Sequence, residues 1–177
     1  MSNVPVSRRK KHDFITTHKI HNLRKRITEL AISDFGYDRD RFEKQIQKYA
    51  EWMVGQPNSD EIIAKMREKN ESYYKDFVQE ETVVTRDIFR KIVMEFEIGN
   101  SIFPDGEALL EEFKERRLHF DRAVGWLFCL KQELQYIAET LPGDKNRYEK
   151  ITDEIEEIIG LVRGVRRSAN KFLKKKK

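Results

Sequence analysis

Apolar residues recur at three- and four-residue steps along nearly the whole chain, a spacing that is typical of helices. The steps predict five helical segments, over about residues 14–33, 38–54, 60–98 and 107–141 and from about residue 144 onward. The third segment is too long for an average helix, and the polar stretch before Tyr73 predicts a bend or break close to Asn70. Because the chain shows neither a β-hairpin signal nor an internal repeat, we expect an all-α protein.

Turn-forming residues separate the helical segments and predict how the helices pack. Gly36 ends the first segment, where a glycine readily takes the left-handed backbone conformation that closes a helix. The connectors at residues 55–58, 99–106 and 142–143 are short, and short connectors place successive helices side by side in opposite directions. We therefore predict an antiparallel helical bundle, with a four-helix-bundle core and an added N-terminal helix or helical hairpin.

The predicted domain is this helical bundle over residues 14–173, in which residues 14–54 form the possible added hairpin. Residues 1–13 are expected to be a basic flexible arm, and residues 174–177 a basic tail. The apolar stripes of the helices also predict the core. Its expected members are Leu23, Ile27, Leu30, Ile88, Ile92, Phe96, Val124, Leu127, Leu130, Leu134, Ile155, Ile159 and Val162.

The segment over residues 107–141 is apolar on more than one face, which predicts a helix that is covered by neighbours on several sides. Cys129 lies in its most apolar run, so we expect a small buried thiol there. Because one intramolecular packing cannot cover all of this surface, we expect a homo-oligomer that buries part of it. Gly160 and Gly164, inside the last helical segment, predict a close crossing with a neighbouring helix.

Composition narrows the class of protein. A hydrophobic fraction of 38% beside 37% charged residues is lean for a globular core but ordinary for long amphipathic helices with one wet face. The single cysteine excludes an internal disulfide framework and multi-cysteine metal sites. No apolar run reaches the length of a membrane span, and no secretory signal is present, so we expect a cytoplasmic protein with no membrane partner.

Positive charge is concentrated at the two ends of the chain. Residues 1–26 hold eight lysines and arginines against one aspartate, and residues 163–177 hold eight and no acidic residue. Since the whole chain has a net charge of +4, the stretch between these ends is net acidic. Basic surfaces bind polyphosphates mainly because binding releases condensed counterions, so this pattern favours contacts to RNA or DNA. The alternative is that charged ends only keep a small domain soluble.

The candidate nucleic-acid contacts come from these two basic ends. They are Arg8, Arg9, Lys10, Lys11, Arg24, Lys25, Arg26, Arg163, Arg166, Arg167, Lys171, Lys174 and Lys175. In the last helix, Arg163, Arg166 and Arg167 share a broad face, and the acidic residues of that helix precede its basic ones. This order complements the helix dipole. Phosphate contacts of this kind give affinity and salt dependence but no sequence specificity.

Little in the sequence favours catalysis. His18 and His21 stand three residues apart, but no H-E-x-x-H motif accompanies them. The carboxylates occur in helical runs that are typical of solvated faces, and Gly160 and Gly164 lack the Lys-Ser/Thr that follows in a phosphate-binding loop. We therefore predict no catalytic residue, no metal site and no cofactor.

Two stretches of the chain carry a resemblance to a known family. The first helix begins after Ser7-Arg8-Arg9-Lys10-Lys11, and the last ends in Gly164-Val165-Arg166-Arg167-Ser168-Ala169-Asn170-Lys171-Phe172-Leu173-Lys174. In these stretches, and in the helical pattern of residues 60–173, the chain is similar to the four-helix-bundle accessory variability determinant proteins. Those are encoded beside the reverse transcriptase of diversity-generating retroelements, and the same broad family includes bundle proteins of rRNA intervening sequences.

The resemblance implies a homo-oligomer, often a pentamer, that carries positive surface and binds a reverse transcriptase and its template RNA. It transfers no catalytic residue to this chain. We therefore expect a non-enzymatic nucleic-acid-binding accessory protein, with RNA favoured over DNA. The alternative is a protein-interaction bundle, such as a phage or mobile-element assembly factor, whose basic ends bind an acidic partner.

Overall fold

The computed structural model describes residues 11–142, 144–170 and 173, and this part of the chain is helical and contains no strand. The all-α prediction is confirmed. Six α-helices form in it, and each predicted segment is found with its ends shifted by a few residues. They are α1 (Lys11–Ile32), α2 (Arg39–Trp52), α3 (Ser59–Ser72), α4 (Val78–Ser101), α5 (Leu109–Thr140) and α6 (Asn146–Ser168).

α3 and α4 are joined without a loop. The long predicted segment contains no proline, so its backbone stays helical and passes through one π-helical turn, Tyr73–Phe77. The bend or break expected close to Asn70 therefore takes the form of this wider turn, which begins three residues later. Asn70 itself is buried and accepts a hydrogen bond from the Tyr37 hydroxyl.

The long helices pack side by side. α5 contacts α4 on one side and α6 on the other, and α1 contacts both α6 and α4. α2 packs against α3. The hairpin expected over residues 14–54 would pair α1 with α2. In the structure α2 pairs with α3 instead. The difference follows from burial, because α1 buries a full stripe that includes Ile20, Leu23 and Ile27.

The core lies between α1, α4, α5 and α6. Every residue of the predicted core is buried, from Leu23 on α1 to Val162 on α6. Phe96 and Phe120 meet at its centre, with ring centroids 5.8 Å apart. The core positions were predictable because a helical stripe in the sequence becomes a buried face as soon as helices pack.

The corner between α1 and α2 is built from an unusual backbone. Asp34, Phe35 and Gly36 have φ angles of 51°, 56° and 79°, so three successive residues are left-handed. The sequence predicted this conformation for Gly36 alone. Phe35 tolerates it because its ring is 2% exposed and its carbonyl accepts a hydrogen bond of 2.7 Å from the hydroxyl of Tyr148 on α6. Burial raises the pKa of Tyr148 to about 12, so this hydroxyl keeps its proton.

Replacing Tyr148 by Phe tests how far this hydrogen bond supports the corner. The variant leaves the buried Phe35 carbonyl without its donor, so we expect a loss of about 1–3 kcal/mol in the free energy of unfolding, measured by urea denaturation. Tyr49→Phe is the matched control, because Tyr49 on α2 is 36% exposed and its change should be within about 0.5 kcal/mol. Equal stability of both variants would contradict the role assigned to Tyr148.

Candidate nucleic-acid interface

α1 and α6 run in opposite directions. Lys19 forms an ion pair with Glu157, Arg26 Nη1 lies 3.0 Å from Glu154 Oε2, and the corner at Phe35 contacts Tyr148. As the residue number rises along α1 and its corner, from Lys19 to Phe35, the residue number of the partner on α6 falls, from Glu157 to Tyr148. At a rise of about 1.5 Å per residue, the first residue of α1 and the last turn of α6 lie at the same end of the molecule. The chain enters α1 and leaves α6 there.

Three of the five acids in the first half of α6 pair with neighbouring helices. Glu154 and Glu157 pair with Arg26 and Lys19 of α1, and Glu156 pairs with Lys131 of α5. Glu149 and Asp153 are exposed and form no ion pair with a described residue. Cations from the two flanking helices therefore offset most of the acids of this half.

The basic second half of α6 is neutralised much less. Arg166 Nε lies 2.6 Å from Asp121 Oδ1 on α5. Arg163 and Arg167 are exposed, and neither forms an ion pair with any residue that the structure describes. The Arg163 guanidinium lies over the Phe128 ring at 5.6 Å from its centroid, which leaves its charge facing outward. Arg163 and Arg167 form the unpaired cationic end of α6.

The other predicted nucleic-acid contacts do not form one continuous surface with the cationic end of α6. Arg24, Lys25 and Arg26 are consecutive on α1 and point in three directions. Arg24 lines a groove toward α4, Lys25 lies opposite the buried stripe, and Arg26 faces Glu154 on α6. Lys11 is the first residue of α1. Arg8, Arg9, Lys10, Lys171, Lys174 and Lys175 lie outside the described residues.

α5 contributes a cation that the sequence analysis missed. Arg117 Nη1 donates a hydrogen bond of 3.0 Å to Asn170 Oδ1, which places it beside the end of α6. Its guanidinium lies 5.3 Å from the centre of the Phe113 ring. The sequence feature that indicates Arg117 is the Arg116-Arg117 pair, which lies in a segment whose pattern is mainly apolar. Arg116 has a structural role. It is 5% exposed and donates hydrogen bonds to the carbonyls of Gly99 and Asn100 at the end of α4.

Two expectations about α5 and α6 were wrong. Cys129 is exposed and is not a buried thiol. An apolar run of five residues covers more than a full helical turn, so part of it faces outward even on a helix that is packed on several sides. A side chain added at Gly160 or Gly164 would meet no atom of the described residues within 4 Å, so these glycines do not lie at a packed crossing within that part of the chain.

α4 and α5 also contain buried ionisable groups. Glu95 Oε2 lies 2.6 Å from His119 Nδ1. Glu81 is 6% exposed, and burial raises its pKa to about 7, with a hydrogen bond to Glu133 and the charge of that residue adding to the effect. Among the described residues no group of three His, Cys, Asp or Glu side chains is placed to hold a metal ion. Within the same part of the chain, no helix is long and apolar enough to cross a membrane.

No protein-family model, no curated protein and no solved structure matches this chain. The resemblance to the accessory variability determinant proteins therefore rests on the residues quoted for it, and it remains a prediction.

The raised pKa of Glu81 predicts how stability depends on pH. The folded protein holds a proton on Glu81 up to about pH 7, whereas the unfolded chain releases it near pH 4.5, the ordinary pKa of a glutamate. This contribution to stability is therefore full below about pH 4.5 and is lost as the pH rises through 7. We expect Glu81→Gln to be more stable than the parent at pH 8, by on the order of 1–3 kcal/mol, in urea unfolding.

The control for this experiment is Glu97→Gln, an exposed glutamate on the same helix. It should lose stability between pH 5 and pH 8 as the parent does. If Glu81→Gln shows the same fall as the parent, the buried carboxyl is not the titrating group.

Proposed function

We propose that this chain is a non-enzymatic accessory protein that binds RNA through the cationic end of α6 and acts in the cytoplasm. The observation that carries the proposal is the unequal neutralisation of α6. Three of its five acids, Glu154, Glu156 and Glu157, are paired with cations of α1 and α5, while Arg163 and Arg167 keep their charge exposed. Unpaired arginines can contact phosphate without first breaking an ion pair, which favours counterion release on binding.

The opposite directions of α1 and α6 add to this proposal. The start of α1 lies at the same end of the molecule as Arg163 and Arg167. Arg117 of α5 lies there as well. Cations of α5 and α6 that are far apart in sequence thus lie at one end of the molecule, where they can contact one phosphate backbone.

We also propose an architecture and a biological partner. The contacts of α1, α4, α5 and α6 support an antiparallel four-helix bundle, with α2 and α3 as the added hairpin. The protein partner that the resemblance implies is the reverse transcriptase of a diversity-generating retroelement. Of the two nucleic acids, RNA is favoured over DNA. All-helical architecture and the basic second half of α6 are the features that support this assignment.

A second candidate function is a protein-interaction bundle, and the outward face of α5 favours it. Leu118 is 48% exposed and Tyr136 is 52% exposed on that face, and Cys129 lies exposed between them. These residues fall at seven- to eleven-residue steps and so lie on one side of the helix. The exposed residues Arg122 and Gln132 interrupt this face, and its apolar part supports the proposal that the protein is a homo-oligomer that buries α5.

Replacing Arg163 and Arg167 by Gln tests the RNA proposal. Each lost phosphate contact should reduce the slope of log affinity against log salt by about 0.7 for single-stranded RNA, so the pair should reduce it by about 1.4. The double variant should bind a single-stranded RNA more weakly at low salt, with an unchanged circular dichroism spectrum.

The matched control replaces Lys44 and Lys48 of α2 by Gln. Both lysines are exposed, and their replacement removes the same charge from another part of the molecule. It should keep the salt dependence of the parent. If both double variants lose the same slope, RNA binding follows net charge and the end of α6 is not the contact.

Introducing Leu118→Glu with Tyr136→Glu tests self-association. Two carboxylates in the centre of an apolar interface should shift the sedimentation-equilibrium dissociation constant toward monomer by at least tenfold, or about 1.4 kcal/mol. Val83→Glu with Met94→Glu is the control, because these α4 residues are 48% and 50% exposed and the charge change is the same. A parent protein that is monomeric at micromolar concentration would contradict the homo-oligomer.

A further inference from the structure

A groove of about 300 Å³ lies between α1 and α4, away from the cationic end of α6. Its apolar lining includes Ile27 and Ala31 from α1 and Phe89 from α4. The volume is at the lower end of the range for sites that bind small molecules. The groove is therefore large enough for a short aliphatic chain, and its lining can desolvate one.

Two arginines line this groove, one from each helix. Arg24 belongs to α1 and Arg86 to α4, and both are exposed. Neither forms an ion pair with a residue of the described ranges, and Asp87, the acid next to Arg86, lies 2.9 Å from Arg90 instead. Guanidinium groups bind carboxylates with paired hydrogen bonds, so two of them at one groove are suited to a single anionic head group.

The three threonines of the groove leave the polar contacts to the arginines. Thr28 and Thr82 each donate a hydrogen bond of 2.8 Å to a carbonyl of their own helix. Thr85 is fully buried, and its Oγ1 has neither accessible surface nor a hydrogen-bond partner among the residues that the structure describes. A ligand in the groove would therefore meet Arg24 and Arg86 as its hydrogen-bond donors.

We propose that this groove binds a small amphipathic anion, an aliphatic monocarboxylate, with its carboxylate between Arg24 and Arg86 and its chain against Ala31 and Ile32, the apolar lining residues that are not buried. An RNA strand fits the groove less well, because Phe89 is 2% exposed and offers no ring face on which a base could stack. The site is separate from the proposed RNA contact.

Octanoate is the probe, because it combines one carboxylate with an aliphatic chain of suitable size. Calorimetric or NMR titration of the full chain should show saturable binding with a dissociation constant near 1 mM, which is ordinary for a ligand of so few atoms. Acetate carries the charge without the chain, and octanol carries the chain without the charge. Each should bind at least fivefold more weakly than octanoate, and octanol binding as tightly as octanoate would overturn the proposal.

Variants locate the binding. Arg24→Gln and Arg86→Gln should each weaken octanoate binding at least fivefold, and Ala31→Phe should abolish it by filling the groove. Lys25→Gln is the matched control, since Lys25 follows Arg24 in the sequence but lies opposite the buried stripe of α1 and does not line the groove. Circular dichroism and thermal unfolding of each variant show whether it is folded.

RNA binding is measured on the same variants. Arg86→Gln should leave RNA affinity unchanged, whatever the outcome for Arg163 and Arg167, so the two proposals fail independently. If Arg86→Gln weakens RNA binding but not octanoate binding, the groove arginines belong to a nucleic-acid surface and the anion site is overturned. Octanoate binding that survives Ala31→Phe would overturn it as well.

Discussion

The packing of α6 between α1 and α5 determines where the charges of the molecule are balanced. α6 buries a stripe that includes Ile155, Ile159 and Val162, and burial of such side chains contributes about 1.5–3 kcal/mol each. Once that stripe faces inward, the remaining positions of α6 face one neighbouring helix or the other. Glu154 then meets Arg26 of α1, Glu156 meets Lys131 of α5, and Arg166 meets Asp121. The charge pattern of the surface is thus a consequence of the apolar core.

This dependence explains how much the sequence could predict. The core positions from Leu23 to Val162 follow from a local period, and a local period can be recognised in one segment at a time. The role of each arginine cannot be recognised in this way, because it depends on the residue that the adjacent helix supplies. Arg26 and Arg163 looked alike in the sequence, yet one is paired with Glu154 and the other lies over an aromatic ring with no acid beside it. Packing determines which acid of an adjacent helix lies beside each arginine, and the pattern of apolar residues along one helix does not predict it.

The same reasoning applies to the positions that were wrong or unforeseen. Cys129 was expected to be buried because its neighbours are apolar, but exposure depends on the angle around the helix and not on the neighbours in sequence. The left-handed backbone of Phe35 could not be predicted from its residue type, since it is held by the hydroxyl of Tyr148, more than a hundred residues away. Arg24 was grouped with Lys25 and Arg26 as one basic cluster, whereas the three side chains are distributed over different faces of α1.

The π-helical turn between α3 and α4 affects the evolution of this fold. Such a turn holds one extra residue in an otherwise regular helix, and its wider i to i+5 hydrogen bonding absorbs the roughly 100° of rotation that one more residue would add in an α-helix. Deleting a single residue between Tyr73 and Phe77 would therefore make this segment a regular α-helix and leave α3 close to its present direction relative to α4. The hydrogen bond from Tyr37 to Asn70 and the ion pair between Arg39 and Glu71 would be kept, because each joins the start of α2 to the end of α3 and neither crosses the turn. The π-helical turn is thus a place where the chain can gain or lose one residue without altering the core.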